Sequence, residues 1–203
     1  MNALNQNTTA SAAQVDFSNS KDHPSELGAW IFIFADMCIF AMYFGVYLWE
    51  KSLNPAMFSQ GQATLNTGFG GFNTLVLLLS SYFVAKAVHQ SRLAQLKSFK
   101  LGLKLTVFCG LIFLCVKFVE YREKLSAGIN LTTNEFYQYY FAFTGFHMLH
   151  VILGISFLAW LLFSIKTTDQ LNHKTQTVES VGLYWHMVDL LWVVLFALIY
   201  LAP

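Results

Sequence analysis

Five long apolar runs, at residues 28–49, 68–88, 99–120, 136–165 and 181–201, alternate with short polar stretches. About 20 apolar residues suffice for a helix to cross a bilayer, and each run approaches or exceeds that length. The first is interrupted only by Asp36, with Trp30, Tyr47 and Trp49 near its ends, where aromatic belts are expected. The second carries Gly68, Gly70, Gly71, Ser80 and Ser81, small residues that let helices approach closely. The third has a shorter apolar centre, residues 105–116, between Lys100 and Lys104 at its start and Lys117 and Glu120 at its end. Lysines near helix ends can extend their ammonium groups to the interface, so this run too reads as spanning. The fourth is long enough to tilt or to project beyond the bilayer. The pattern predicts an all-α polytopic membrane protein with five transmembrane helices.

The connecting stretches are polar: residues 50–67 with Pro55, a basic turn at 89–98, a loop at 121–134 with Gly128 as a helix stop, and 166–180. Residues 1–25 form a polar tail, and Ser25 is placed to cap the first helix. Repeats and a second core are absent, so residues 26–203 form one transmembrane domain.

Composition supports the same class. The chain is 56% hydrophobic and only 11% charged, with a mean hydropathy of +0.50, whereas soluble domains are about 25% charged. The net charge of +1 gives no reason to expect nucleic acid as a partner. Cys38, Cys109 and Cys115 lie inside apolar runs without CxxC spacing and read as small buried hydrophobes. Residues 1–27 lack the apolar region of a signal peptide, so membrane entry is expected through the first spanning helix. Lys21, Lys86, Arg92, Lys97, Lys100, Lys104, Lys166 and Lys174 fall on one side of such a five-helix chain. Lys51, Lys117, Arg122 and Lys124 fall on the other. This two-to-one bias places the N-terminus in the cytoplasm and the C-terminus outside.

Candidate chemistry is confined to a few polar groups inside the runs: Asp36, Asn73, Glu120, His147, His150, His186 and Asp189. Polar groups at such depth need partners. Asp36 reads either as a hydrogen-bonded acid holding helices together or as a carboxylate that handles protons or meets lipid headgroups. His147 and His150, three apart on one helix face, could with His186 hold a metal, and haem would need one histidine from each of two helices. The short His boxes of membrane di-metal enzymes and the paired His sets of multihaem cytochromes are missing, however. Neutral histidines hydrogen-bonded across helices are the better reading. Lys117 with Glu120, and His186 with Asp189, have the three-residue spacing of self-neutralising pairs. Trp185 and Trp192 read as packing or interface residues. A transporter is disfavoured because neither an inverted repeat nor a broken helix pair is visible.

Two stretches carry a family resemblance. Thr144-Gly-Phe-His-Met-Leu-His-Val151 resembles the Thr-Gly-x-His-x-x-His-Val signature of subunit III of haem–copper oxidases. Tyr184-Trp-His-Met-Val-Asp-Leu-Leu-Trp192 resembles that family's Tyr-Trp-His-Phe-x-Asp-x-x-Trp. Glu120-Tyr121, Asn73-Thr74 and Ser80-Ser81 are similar to further family patterns, and the resemblance runs from about Glu26 to the C-terminus. It implies the short five-helix form of subunit III, with helices 1–2 in one bundle and 3–5 in another and phospholipid between them. It also implies a chain without its own redox centre, packed on the catalytic subunit I of a bacterial inner-membrane complex. Haem and copper would then sit only in the partner subunit, while this chain supports assembly, lipid binding and proton uptake. Asp36 matches the family's intramembrane carboxylate, usually Glu. Asn73, Glu120, His147, His150, His186 and Asp189 would form an interhelical polar network. Asp36 in its first-helix context, and Lys117 in place of Gln, look closer to the NorE-like branch that accompanies nitric oxide reductase. That branch is the alternative, and a self-contained haem or metal membrane enzyme is a further one.

Overall fold

The computed structural model describes residues 24–202. Most of the expected polar tail, Lys21 included, lies outside them. Chain order is α1 (Pro24–Leu53), α2 (Pro55–Ala63), α3 (Thr67–Arg92), α4 (Leu96–Ser126), α5 (Glu135–Ser164), α6 (Thr168–His173) and α7 (Thr175–Phe196). Helix α7 continues into a π-helical turn, Ala197–Leu201. Helices α1, α3, α4, α5 and α7 are long and apolar enough to cross a membrane, and the protein is an all-α multi-pass membrane protein.

The boundaries differ from the sequence reading where local chemistry outweighs hydropathy. Pro24 and Ser25 are already helical, so Ser25 is not a cap; proline is well suited to a first helical turn. Part of the 50–67 connection coils into α2, with Pro55 again in the first turn, and part of 166–180 into α6, started by a Thr167–Gln170 capping box. Helix α4 runs on to Ser126 before Gly128, at φ +76°, turns the chain. Asn66 and Asn134 cap α3 and α5 by accepting backbone N–H bonds.

The expected grouping of helices 1–2 against 3–5 is overturned. The second spanning helix, α3, packs most extensively on α4 and then on α7, while α5 packs on α7 and α4. These four form one bundle, and α1 lies outside it against α7. Small residues explain the choice. A Cβ on Gly102 of α4 would stand 2.9 Å from the Ala87 methyl and 3.1 Å from the Phe83 carbonyl oxygen of α3, so those backbones are nearly in contact. Gly110 of α4 and Gly154 of α5 make room for the Trp185 indole of α7.

Four side chains sit elsewhere than expected. Tyr47 is fully buried against Phe58, Tyr139 and Phe143 and is no belt residue, although Trp30 and Trp49 are exposed. Cys38 and Cys115 are exposed on the apolar exterior, leaving only Cys109 buried. Lys117 is 0% exposed and points into the bundle instead of out to the interface.

Candidate functional site

The π-helical turn decides the geometry of the lower core. One extra residue per turn leaves carbonyls without their usual α-helical donors. Gln62 of α2 donates to the Leu198 and Ile199 carbonyls at 3.1 and 3.2 Å, and Lys51 of α1 donates to that of Ala202 at 2.9 Å. Helix α2 thereby closes this end of α7, and Tyr200 is carried inward toward α4.

There it meets a closed polar cluster. Lys117 Nζ donates to Glu120 Oε2 and to the Tyr200 hydroxyl, both at 2.9 Å. Tyr200 and Tyr140 donate to Glu120 Oε1 at 2.6 and 2.9 Å. Both carboxylate oxygens are occupied, and the rings of Tyr121, Tyr140, Trp192 and Tyr200 surround the ammonium at 5.1–5.7 Å. A buried ion pair is tolerated when geometry is good and the remaining hydrogen-bonding capacity is met, and both conditions hold. The Lys117–Glu120 spacing is legible in the sequence. The sequence does not mark Tyr140 and Tyr200, because a tyrosine in an apolar run shows neither its direction nor the π turn that aims it.

A second pair joins α1 to the bundle. His150 Nδ1 lies 2.7 Å from the Phe146 carbonyl oxygen, which can only accept, so this nitrogen carries a proton. His150 Nε2 stands 3.2 Å from Asp36 Oδ1. That contact holds one further proton, on imidazole or on carboxyl, and the pair is neutral overall in either arrangement. Phe40 packs edge-on to the imidazole at 5.5 Å. The pair borders a cavity of about 460 Å³ between α1 and α5, lined also by Tyr43, Tyr139, Phe143 and Phe146. Replacing His150 by leucine should lower stability by roughly 1–3 kcal/mol, because a largely buried carboxyl, 13% exposed, loses its partner. Replacing both Asp36 and His150 by leucine should recover most of that loss in thermal unfolding. A double variant as unstable as the single one would show that the pairing is not what matters.

The remaining candidates separate. His186 Nδ1 is 2.7 Å from Ser81 Oγ of α3 instead of meeting Asp189. Asn73, His147 and Asp189 are buried, and their side-chain polar atoms have no protein hydrogen-bond partner among the described residues. His147 points into the bundle, His150 toward α1 and His186 toward α3, so the three imidazoles do not converge. Among the described residues no three His, Cys, Asp or Glu side chains form a group that could hold a metal ion. Trp185 and Trp192 are core residues, each donating its indole N–H to an α3 hydroxyl, Ser80 at 2.9 Å and Thr74 at 3.0 Å.

Comparison with known proteins adds an independent line. A family model described as cytochrome c oxidase subunit III matches residues 9–202. A cytochrome c oxidase subunit 3 from Synechocystis is 34% identical over 182 residues, covering 86% of this chain and 74% of the relative. A cytochrome bo(3) ubiquinol oxidase subunit 3 from Buchnera aphidicola is 30% identical, covering 91% and 92%. A probable quinol oxidase subunit 3 from Staphylococcus epidermidis is 27% identical, covering 94% of each.

Proposed function

The chain belongs to the cytochrome c oxidase subunit III family, and from that premise we propose that it packs on the catalytic subunit of a haem–copper oxidase and stabilises it with bound lipid. As a family member it is an accessory subunit of such an oxidase. The relatives above are all oxidase subunits, and nothing in them supports the nitric oxide reductase-associated branch. In this reading haem and copper belong to the partner subunit, and the chain lies in a bacterial inner membrane with its N-terminus cytoplasmic. Burial of Lys117 supports that orientation, since it removes one lysine from the opposite side.

The observation that carries the reading is where polarity lies. The polar side chains of the bundle turn inward, while Phe34, Phe108, Phe118 and Phe163 are at least 60% exposed on the outside. Such a surface suits lipid or an apolar transmembrane partner, and not a substrate in water. The α1–α5 cavity with its aromatic walls fits an acyl chain, with Asp36 and His150 at its margin.

Affinity purification of a tagged chain in mild detergent should bring down a haem-containing subunit that reduces oxygen. Deleting the chain should shorten the activity lifetime of that oxidase during turnover. Co-purification with a nitric oxide-reducing enzyme, or a haem spectrum from the chain alone, would sink the proposal.

A further inference from the structure

Of the buried side-chain polar atoms without a protein partner among the described residues, most belong to three residues: both oxygens of Asp189, both amide atoms of Asn73 and both nitrogens of His147. They come from three different helices, α7, α3 and α5, and their relative exposures are 4%, 0% and 0%.

The hydrogen bonds between α3 and α7 bring Asn73 and Asp189 within about one helical turn of each other. Trp185 meets Ser80, His186 meets Ser81 and Trp192 meets Thr74, so the two helices run antiparallel in a defined register. In that register Asp189 lies between the levels of Asn73 and Ser81. His147 of α5 lies with its ring 5.2 Å from that of Trp192, which is one turn along α7 from Asp189. Cys109 and Phe113 of α4 adjoin them, the first near Asp189 and the second 5.4 Å from the His147 ring. Ser81 also stands beside the Asp189 carboxyl, but its hydroxyl is engaged with His186, and no hydrogen bond of adequate geometry reaches Asp189.

Native interiors seldom leave even one buried polar group unmatched, and three together call for a shared partner. The chemistry offered is balanced. The amide supplies two donors and an acceptor, the imidazole one of each, and the carboxyl acceptors. A water that finds two to four such partners is bound stably inside a protein. We propose that Asn73, His147 and Asp189 form an internal water-binding site in the core of the four-helix bundle. Ser81 and His186 connect it to the cavity of about 400 Å³ between α1, α3 and α7, which His89, Arg92, Glu179 and His186 line. The hydrated branch ends at Trp192 and Phe113, which separate it from the Lys117–Glu120 cluster.

Radiolytic hydroxyl-radical labelling of the native complex in lipid nanodiscs tests this, because radicals formed from bound water oxidise the side chains beside it. Trp185 and Trp192 are both 0% exposed, so one serves as a control for the other. Trp192 should be labelled several-fold more than Trp185, and the excess should be lost in Asp189→Leu and in the gentler Asn73→Leu. A high-resolution map of the same complex should show water within hydrogen-bonding distance of Asp189 and at least one of Asn73 and His147. Equal, background labelling of the two tryptophans would overturn the site. So would a map in which Asp189 pairs directly with Asn73 or His147 without water.

Discussion

Replacing Lys117 by methionine will destabilise the chain by about 3–5 kcal/mol, the usual cost of removing one partner from a buried ion pair. Methionine matches the length of the lysine stem, so packing changes little and the effect isolates the charge. Glu120 then keeps the hydrogen bonds from Tyr140 and Tyr200 but loses the one cation that pairs with it among the described residues. The double variant Lys117→Met, Glu120→Gln should recover most of the loss, since an uncharged amide needs no counter-charge. Reversible unfolding in mixed micelles measures both. A single variant as stable as the parent would show that Lys117 contributes no net stability where it lies.

Trp185→Ala is expected to cost a similar amount, about 3–5 kcal/mol for a large aromatic truncated in a packed core. The indole fills the space left by Gly110 and Gly154, where added Cβ atoms would come within 2.9 and 2.7 Å of it. Without it three helices face a void lined by glycine, and Ser80 loses the N–H it accepts. Trp185→Phe keeps most of the volume and removes the hydrogen bond, so its cost should be nearer 1 kcal/mol. Equal losses for the two substitutions would mean that the hydrogen bond, not the volume, holds the helices together.

These residues are unevenly legible in the sequence. The five spans and their order follow from length and hydropathy, because a bilayer core sets the length of any helix that crosses it. Lys117 with Glu120 was readable as a pair from its spacing. Its depth was not, since a lysine near the end of an apolar run has two solutions, out to the interface or inward to a carboxylate. Here the inward one wins, because Tyr140 and Tyr200 complete the bonding of both partners. His150 and His186, though both within family motifs, meet Asp36 and Ser81, each on a different helix.

Composition and motif spacing alone determine that this is a five-span, all-α membrane protein with the signatures of subunit III. Tertiary structure alone decides that α3 joins α4, α5 and α7 while α1 stands outside, and which polar atoms find partners. The reason is the solvent. In a bilayer the exterior is as apolar as the core, so Phe34, 72% exposed, and Phe113, fully buried, look alike in sequence. What separates the inside from the outside here is the fit of glycines against Trp185 and Ala87, and that exists only once the helices meet.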